Sequence, residues 1–216
     1  RVNHPDGSSE SFVHNAYGEL VAHTSVLGFT TTYIRRADGR VTETQFSDGT
    51  FERREFDERK DLVLEADRLG HETRYTYDDR HLLTRVERER TVDPRRNEHV
   101  TDAVHYRYRG DGKLTERWVT STGTGAGDGE AAGGATALGR WRFGYDAVGR
   151  LAWEIETTTG VATRYEYDSA GNLTGRHVVS MESDETETAD DALARRIDAA
   201  RSEPVAVGRY GYTPSG

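Results

Sequence analysis

Residues 165–173 read Tyr-Glu-Tyr-Asp-Ser-Ala-Gly-Asn-Leu, and this stretch predicts a β-hairpin. Tyr165 and Tyr167 are two residues apart, so both would project from one face of an extended strand. Asp168 suits the first position of a type I turn because its carboxylate can accept backbone N–H groups. Gly171 suits the left-handed residue that follows such a turn and forms a G1 bulge. The closing leucine would then begin the returning strand.

The same pattern, aromatic-x-aromatic-Asp-x-x-Gly-polar-Leu, recurs along the whole 216-residue chain. Its glycine position advances in steps of 21 over residues 18–81, and further copies follow later in the chain. Lys60 and His81 stand at that position in two copies, where a left-handed backbone is unfavourable because of their Cβ atoms. The sequence therefore predicts about seven consecutive hairpin repeats. The residues that define the pattern are Tyr33, Gly39, Phe56, Asp57, Tyr75, Tyr77, Asp78, Tyr106, Tyr108, Gly112, Phe143, Tyr145, Asp146, Gly149, Leu151, Tyr165, Tyr167, Asp168, Gly171, Leu173, Tyr210 and Tyr212.

Glycines also lie between the hairpins. Gly49, Gly70 and Gly160 each precede the next outgoing strand, so a second turn is expected to join successive hairpins. Residues 1–216 are therefore predicted to form one all-β meander of roughly fourteen antiparallel strands. Open sheets of that size seldom stay flat, so we expect a long, curved sheet that winds as a spiral. The paired aromatics would supply much of its packing area, since each ring can bury ~150–250 Å².

Three insertions interrupt the repeat, near residues 87–99, 121–139 and 181–203. The first is charged and predicts a surface loop. The second is rich in glycine and predicts a mobile loop, because it lacks the Lys-Ser/Thr pair and the following helix of a phosphate-binding loop. The third predicts one short surface helix near residues 189–201, with a thin apolar stripe. The acidic residues before that helix do not have the spacing of an EF-hand, so a calcium site is not expected.

The composition argues against several classes of protein. The chain has no cysteine, which excludes disulfides, thiolate metal sites and cysteine nucleophiles. It has no run of eighteen apolar residues and hence no predicted membrane span. Its net charge of −9 argues against a nucleic-acid partner, which requires a basic face. The first five residues are neither a start methionine nor a signal peptide, so we expect a piece of a longer protein.

No constellation of residues with catalytic spacing is present. His99, Asp102 and His105 are the nearest approach to a metal-binding cluster, but the two histidines would lie ~20 Å apart on a strand. Asp57, Asp78, Asp146 and Asp168 recur with the repeat, which indicates a role in the turns. We therefore predict no catalytic, cofactor-binding or metal-ligating residues, and no enzyme activity.

The dipeptides Tyr77-Asp78, Tyr145-Asp146 and Tyr167-Asp168 resemble the namesake of the YD repeat of Rhs proteins, a repeat also found in Tc toxin shell subunits and in teneurins. The resemblance implies a spiral of strands that winds into a hollow cocoon around a C-terminal toxic domain. It implies delivery to competitor or host cells by a bacterial secretion system, often type VI secretion. The implied partners are further repeats of the same parent chain, the enclosed toxin domain and proteins of the secretion apparatus.

The sequence also differs from the usual pattern of the family in one respect. The family's core usually ends in an Asp-Pro-rich autoproteolysis motif, and Asp93-Pro94 followed by Arg-Arg-Asn does not fit that motif. The leading hypothesis is thus a non-catalytic shell segment of an Rhs-type toxin. The alternative is an extracellular carbohydrate-binding or adhesion module, in which the aromatic rings would be open to solvent; an enzyme is a third possibility. The shell hypothesis predicts instead that the tyrosines are packed or face a lumen.

Overall fold

The computed structural model describes residues 1–93, 95, 98–124, 135–181 and 190–199, and Tyr210 and Tyr212 lie outside these ranges. The described residues form fifteen strands and one helix. These are β1 (Val2–Asn3), β2 (Ser9–His14), β3 (Leu20–Thr24), β4 (Thr30–Arg35), β5 (Val41–Phe46), β6 (Phe51–Phe56), β7 (Leu62–Ala66), β8 (Glu72–Tyr77), β9 (Leu83–Asp93), β10 (Glu98–Tyr108), β11 (Leu114–Thr124), β12 (Thr136–Tyr145), β13 (Leu151–Glu156), β14 (Val161–Tyr167), β15 (Leu173–Ser180) and α1 (Asp190–Ala199).

The strand order in the sheet is the order in the chain. Each described strand is hydrogen-bonded to the one before it, from β1 to β15. The predicted all-β fold of consecutive antiparallel hairpins is confirmed, with one short strand more than expected; the spiral curvature stays a prediction. The chain divides into two compact units. Unit 1 is Arg1–Ala103 with Gly123–Ala132, and unit 2 is Val104–Thr122 with Gly133–Gly216.

One turn geometry joins nearly all the hairpins. In the β8–β9 turn, the Asp78 N–H donates to the Leu82 carbonyl at 2.9 Å and the His81 N–H donates to the Asp78 carbonyl at 3.1 Å. These two bonds define a type I turn followed by a G1 bulge, as predicted. The residue at the glycine position has positive φ, including Lys60 at 73° and His81 at 64°. The same two hydrogen bonds occur in the turns that begin at His4, Asn15, Ser25, Arg36, Phe46, Asp57, Asp67, Arg109, Asp146 and Asp168.

The hairpins that carry the aromatic pattern contain a second irregularity, which the sequence did not reveal. Thr76 pairs with Arg85 but Tyr77 pairs with Leu83, so Thr84 is an extra residue in β9. The same register shift occurs in the β2–β3, β4–β5, β6–β7, β12–β13 and β14–β15 hairpins. The Thr84 hydroxyl donates to the Thr76 carbonyl at 3.1 Å. A bulge of this kind locally bends and twists the strand pair once in each repeat.

The predicted surface loop near residues 87–99 is wrong, because strands occupy most of it. β9 continues to Asp93 and β10 begins at Glu98, so the insertion near residues 87–99 lengthens a hairpin. Its alternating charges pair across the strands: Arg90 contacts Asp102 at 2.7 Å and His99 contacts Glu89 at 2.9 Å. In the insertion near residues 121–139, β11 and β12 cover both flanks. The predicted mobile loop falls on the glycine-rich residues 125–134, which lie outside the described residues.

The predicted helix is confirmed, but its role in packing is larger than expected. The apolar stripe of α1 is fully buried: Leu193 and Ile197 are both 0% exposed. They pack with Trp153, Ile155, Ala162 and Val179 of the sheet in unit 2. The expectation that the paired tyrosines form the core is therefore wrong in this unit. Its core lies between the helix and the sheet, on the face opposite the tyrosines.

Lys60→Gly is expected to raise the free energy of unfolding by about 1 kcal/mol, because glycine adopts the left-handed conformation without a Cβ clash. His81→Gly should gain less, since the His81 ring bonds to Asp61 through Nδ1 at 2.8 Å and that contact would be lost. Urea unfolding of both variants measures the difference. A gain for His81→Gly equal to that for Lys60→Gly would show that the Asp61 contact contributes nothing.

Candidate functional surface

Cross-strand pairing assigns the side chains to two faces. Tyr33 pairs with Thr44 and Phe143 pairs with Glu154, so each aromatic lies on the same face as its partner. We name this the tyrosine face: it holds the two aromatic positions of the pattern and the residue three after its leucine. The opposite side is the variable face. It holds the residue between the aromatics, the residue before them, and the residues two and four after the leucine.

In three repeats the side chain at the second aromatic position bonds to the backbone of the repeat before it. The Tyr167 hydroxyl donates to the Leu151 carbonyl at 2.9 Å, and the Tyr145 hydroxyl donates to the Leu114 carbonyl at 2.9 Å. Arg35 occupies the same position in an earlier repeat, and its guanidinium donates to the Leu20 carbonyl at 2.9 Å. The carbonyls of Leu20, Leu114 and Leu151 are therefore acceptors for the following repeat. This contact could not be foreseen from spacing, because it depends on the bulge beside that leucine.

The first aromatic bonds to a glutamate of the preceding strand. The Tyr165 hydroxyl donates to Glu154 at 2.8 Å, and the Tyr75 hydroxyl donates to Glu65 at 3.4 Å. Burial, followed by the Glu154 carboxylate, raises the pKa of Tyr165 to about 12. Burial also raises the pKa of Tyr77 and Tyr145. These phenols consequently remain protonated hydrogen-bond donors at ordinary pH.

Cations cover several of the aromatic rings. The Arg150 guanidinium lies 4.6 Å from the centre of the Tyr167 ring, and Lys113 Nζ lies 5.7 Å from the Tyr145 ring. Both cations stand at the polar position between the pattern glycine and leucine, one repeat earlier than the ring. Such contacts contribute about 0.5–1 kcal/mol at exposed sites. They also occupy ring surface that a sugar would need for stacking.

The pattern aspartates hold the turns. Asp146 Oδ1 accepts the backbone N–H groups of Val148 at 3.1 Å and Arg150 at 2.8 Å. Burial alone would raise the pKa of Asp146, but its bonds to Arg150 outweigh that and lower it. The side chain and backbone of Asn172 lower the pKa of Asp168. These carboxylates are thus ionised acceptors with a structural role in the turn.

The residues of the nearest candidate metal cluster have other partners. His99 bonds to Glu89 at 2.9 Å, and Asp102 accepts from Arg90 at 2.7 Å. His105 stacks on Trp118 and lies 3.0 Å from the Thr120 hydroxyl. Among the described residues, no group of three or more histidines and acids could hold a metal ion. The same ranges contain no helix long and apolar enough to cross a membrane.

A cleft of about 470 Å³ in unit 1 is formed by β8, β9 and the start of β10. Its acidic residues have neighbouring partners: Glu72 contacts Arg74 at 2.6 Å, Glu87 contacts Arg85 at 2.8 Å, and Glu89 lies 2.9 Å from the His99 ring. Each carboxylate of the cleft lining is therefore engaged by a neighbouring side chain.

A buried acid in unit 2 was missed by the sequence analysis. Glu116 is 6% exposed on the variable face, where Arg107 and Arg140 contact its carboxylate at 2.7 and 2.5 Å. Its position in the repeat could have indicated this location, because the residue two after the pattern leucine, here Leu114, lies on the variable face. The two arginines pair with the carboxylate, so Glu116 is not left as an unpaired buried charge, which would be strongly destabilising.

Tyr167→Phe is expected to lower the free energy of unfolding by about 1 kcal/mol, because one hydrogen bond to the Leu151 carbonyl is lost while the ring remains. The matched control is Tyr17→Phe, since Tyr17 lies exposed at a turn and makes no such contact through its hydroxyl. Chemical denaturation of both variants provides the comparison. Equal stability of Tyr167→Phe and the parent chain would rule out a contribution from this bond.

These features define a class of protein built from hairpin repeats in which each repeat bonds to the one before it. Residues 145–179 match the family model of the RHS repeat. That match confirms the resemblance to the Rhs/YD-repeat family over this part of the chain. No curated protein matches the sequence of the chain.

Solved structures share the fold. The Tc holotoxin pore of Photorhabdus luminescens is similar with a TM-score of 0.60 and 15% identity, over 82% of this chain and 9% of that one. TcdB2-TccC3 is similar with a TM-score of 0.60 and 16% identity, over 79% of this chain and 9% of that one. TcdB2-TccC3-Cdc42 gives a TM-score of 0.61 at 15% identity, with the same coverage. The chain thus spans about a tenth of the length of these structures.

Proposed function

We propose that the chain is a non-catalytic structural segment of an Rhs-type toxin. In this proposal it forms part of a β-sheet wall that encloses a C-terminal toxic effector for delivery to competitor or host cells. The observation that carries the proposal is the set of contacts on the tyrosine face. They link one repeat to the next through Tyr145, Tyr167 and Arg35, so the recurring side chains build a continuous sheet.

The physical role of such a wall is exclusion. Successive hairpins stack like the units of a repeat protein, and each new unit adds a similar interface. A sheet of this kind can grow to enclose a volume without a large apolar core of its own. Its enclosed chain would be kept from proteases and substrates until release. The proposal includes delivery by a bacterial secretion system, with type VI secretion as one route.

Protease protection tests the proposal. The longer protein that carries both the repeats and an effector is treated with a nonspecific protease, and effector peptides are followed by mass spectrometry. We expect the effector to survive in the intact protein and to be cut quickly when the same effector is produced alone. Equal rates of cleavage would contradict enclosure.

An extracellular carbohydrate-binding or adhesion module is the second candidate. One observation favours it: Tyr17 lies exposed at the tip of a turn, unlike the half-buried pattern tyrosines. A glycan array with the parent chain and Tyr17→Ala decides the matter. Binding that disappears in the variant would support this module and weigh against the shell, whereas no binding to any glycan removes it.

A further inference from the structure

The two faces of the sheet differ in how faithfully they repeat. The tyrosine face carries an aromatic or an arginine at the second aromatic position in unit 1, for example Arg35, Phe56 and Tyr77. The variable face repeats less faithfully: Arg53, Arg74, Arg142 and Arg164 share the position before the aromatics, but its other positions differ from repeat to repeat. Four residues after the pattern leucine it has Thr24, Gln45, Ala66 and Glu87 in unit 1, and it has Ile155 in unit 2. Residues that recur in every repeat serve the contacts between repeats. Contacts that are specific to one repeat are therefore expected on the other face.

Side chains of the tyrosine face already contact neighbouring repeats. Its hydroxyls bond to the preceding repeat, as Tyr75 does with Glu65. Its rings lie beneath cations, as Phe56 lies beneath Arg36 and Arg40 at 6.0 and 5.5 Å. A partner that bound here would have to displace these contacts and would weaken the link between repeats.

The variable face already binds a polypeptide in unit 2. Helix α1 lies against it, with Leu193 and Ile197 packed on Trp153 and Ile155. Trp153 and Ile155 stand two and four residues after Leu151, which are positions of the variable face by definition. The chain itself therefore shows which side of a repeat receives a segment that is not part of the sheet.

In unit 1 the described part of the same face has no helix on it and is balanced in charge. Arg53 contacts both Glu55 and Glu72, at 3.6 and 3.7 Å, and Arg74 contacts Glu72 at 2.6 Å. On the same face Val13, Ile34 and Phe51 are exposed apolar side chains, and Leu64 and Ala66 are buried ones. Paired charges of both signs exert little long-range field. Such a surface can lie against a polypeptide without selecting its charge, and isolated apolar side chains give only weak local contacts.

We propose that the variable face of unit 1 contacts the enclosed polypeptide, while the tyrosine face points away from it. This inference rests on the proposed function and adds the surface and the kind of partner. The partner is a polypeptide of mixed charge held by weak, unspecific contacts. Like α1, the partner would be a chain segment that lies across the strands and contacts them through scattered aliphatic side chains.

Single cysteines test the assignment, because the chain has none of its own. Arg74→Cys places a thiol on the variable face, and Arg88→Cys places one on the tyrosine face, since Arg88 pairs with Thr73. The two side chains are matched in exposure, at 57% and 54%. Both arginines make only surface ion pairs, so the variants should fold, which circular dichroism confirms. They are made in the longer effector-bearing protein, after any other cysteines are replaced.

Each thiol is reacted separately with a maleimide on a large polyethylene glycol and with a thiol-reactive benzophenone. We expect the large maleimide to label Arg88→Cys severalfold faster than Arg74→Cys, and the benzophenone to cross-link to the effector only from Arg74→Cys. Cross-links only from Arg88→Cys would overturn the face assignment and leave enclosure standing, as would equal cross-linking from both. Effector cross-links from neither site, with equal labelling, would overturn enclosure itself.

Discussion

Trp153→Ala is expected to lower the free energy of unfolding by about 3–5 kcal/mol, the usual cost of removing a large buried aromatic. The Trp153 side chain is 5% exposed and belongs to the cluster that holds α1 on the sheet. Its indole also lies directly over Gly144 on the neighbouring strand, where a Cβ would collide with the ring. The variant therefore leaves a cavity under the helix and uncovers the backbone of β12.

Urea unfolding followed by far-ultraviolet circular dichroism measures this loss. Val148→Ala is the control, because Val148 is 76% exposed at a turn tip and surface changes usually stay within ~0.5 kcal/mol. A second variant, Gly144→Ala, should also be destabilised, since its methyl group would push the indole aside. A Trp153→Ala chain as stable as Val148→Ala would contradict the position of the core.

The hairpins were predictable because their signal is local. Asp78 and the residue at the glycine position decide the turn within five residues, so backbone conformation follows from residue type. Even the exceptions behaved as expected: His81 keeps a positive φ at a position that other repeats give to glycine. The same locality made the position of α1 predictable from its acidic start and its apolar stripe.

The core was not predictable, because it depends on contacts distant in the chain. Leu193 meets Trp153 forty residues away, and no periodic pattern marks that pairing. The expectation that tyrosines form the core came from their number, yet their hydroxyls bond to the preceding repeat and the rings stay half-buried. The charged residues 87–99 suggested a loop because their partners on the neighbouring strand are not apparent from the local sequence. Several of their charges are compensated across the strands, by pairs such as Arg90 with Asp102.

The aspartates of the turns lead to the second large effect, acid unfolding. Hydrogen bonds in the folded chain lower the pKa of Asp67, Asp78, Asp146 and Asp168, and the guanidinium of Arg36 lowers the pKa of Asp38 to about 2. A carboxyl whose pKa is lower in the folded than in the unfolded state stabilises the fold above the unfolded pKa of about 4. That stabilisation is lost as the pH falls through the folded pKa. We therefore expect stability to fall steeply between about pH 4 and pH 2, with no such fall between neutral pH and pH 5.

The chain supplies the control for this prediction. Asn15 occupies the turn position of the aspartates, and its Oδ1 accepts the N–H groups of Tyr17 and Glu19, both at 3.0 Å. An asparagine can thus hold the turn without an ionisable group. The combined variant Asp78→Asn, Asp146→Asn, Asp168→Asn should fold at neutral pH and lose stability less steeply in acid. Urea midpoints measured across the pH range would show this, and acid curves that superimpose for variant and parent would place the acid sensitivity outside these turns.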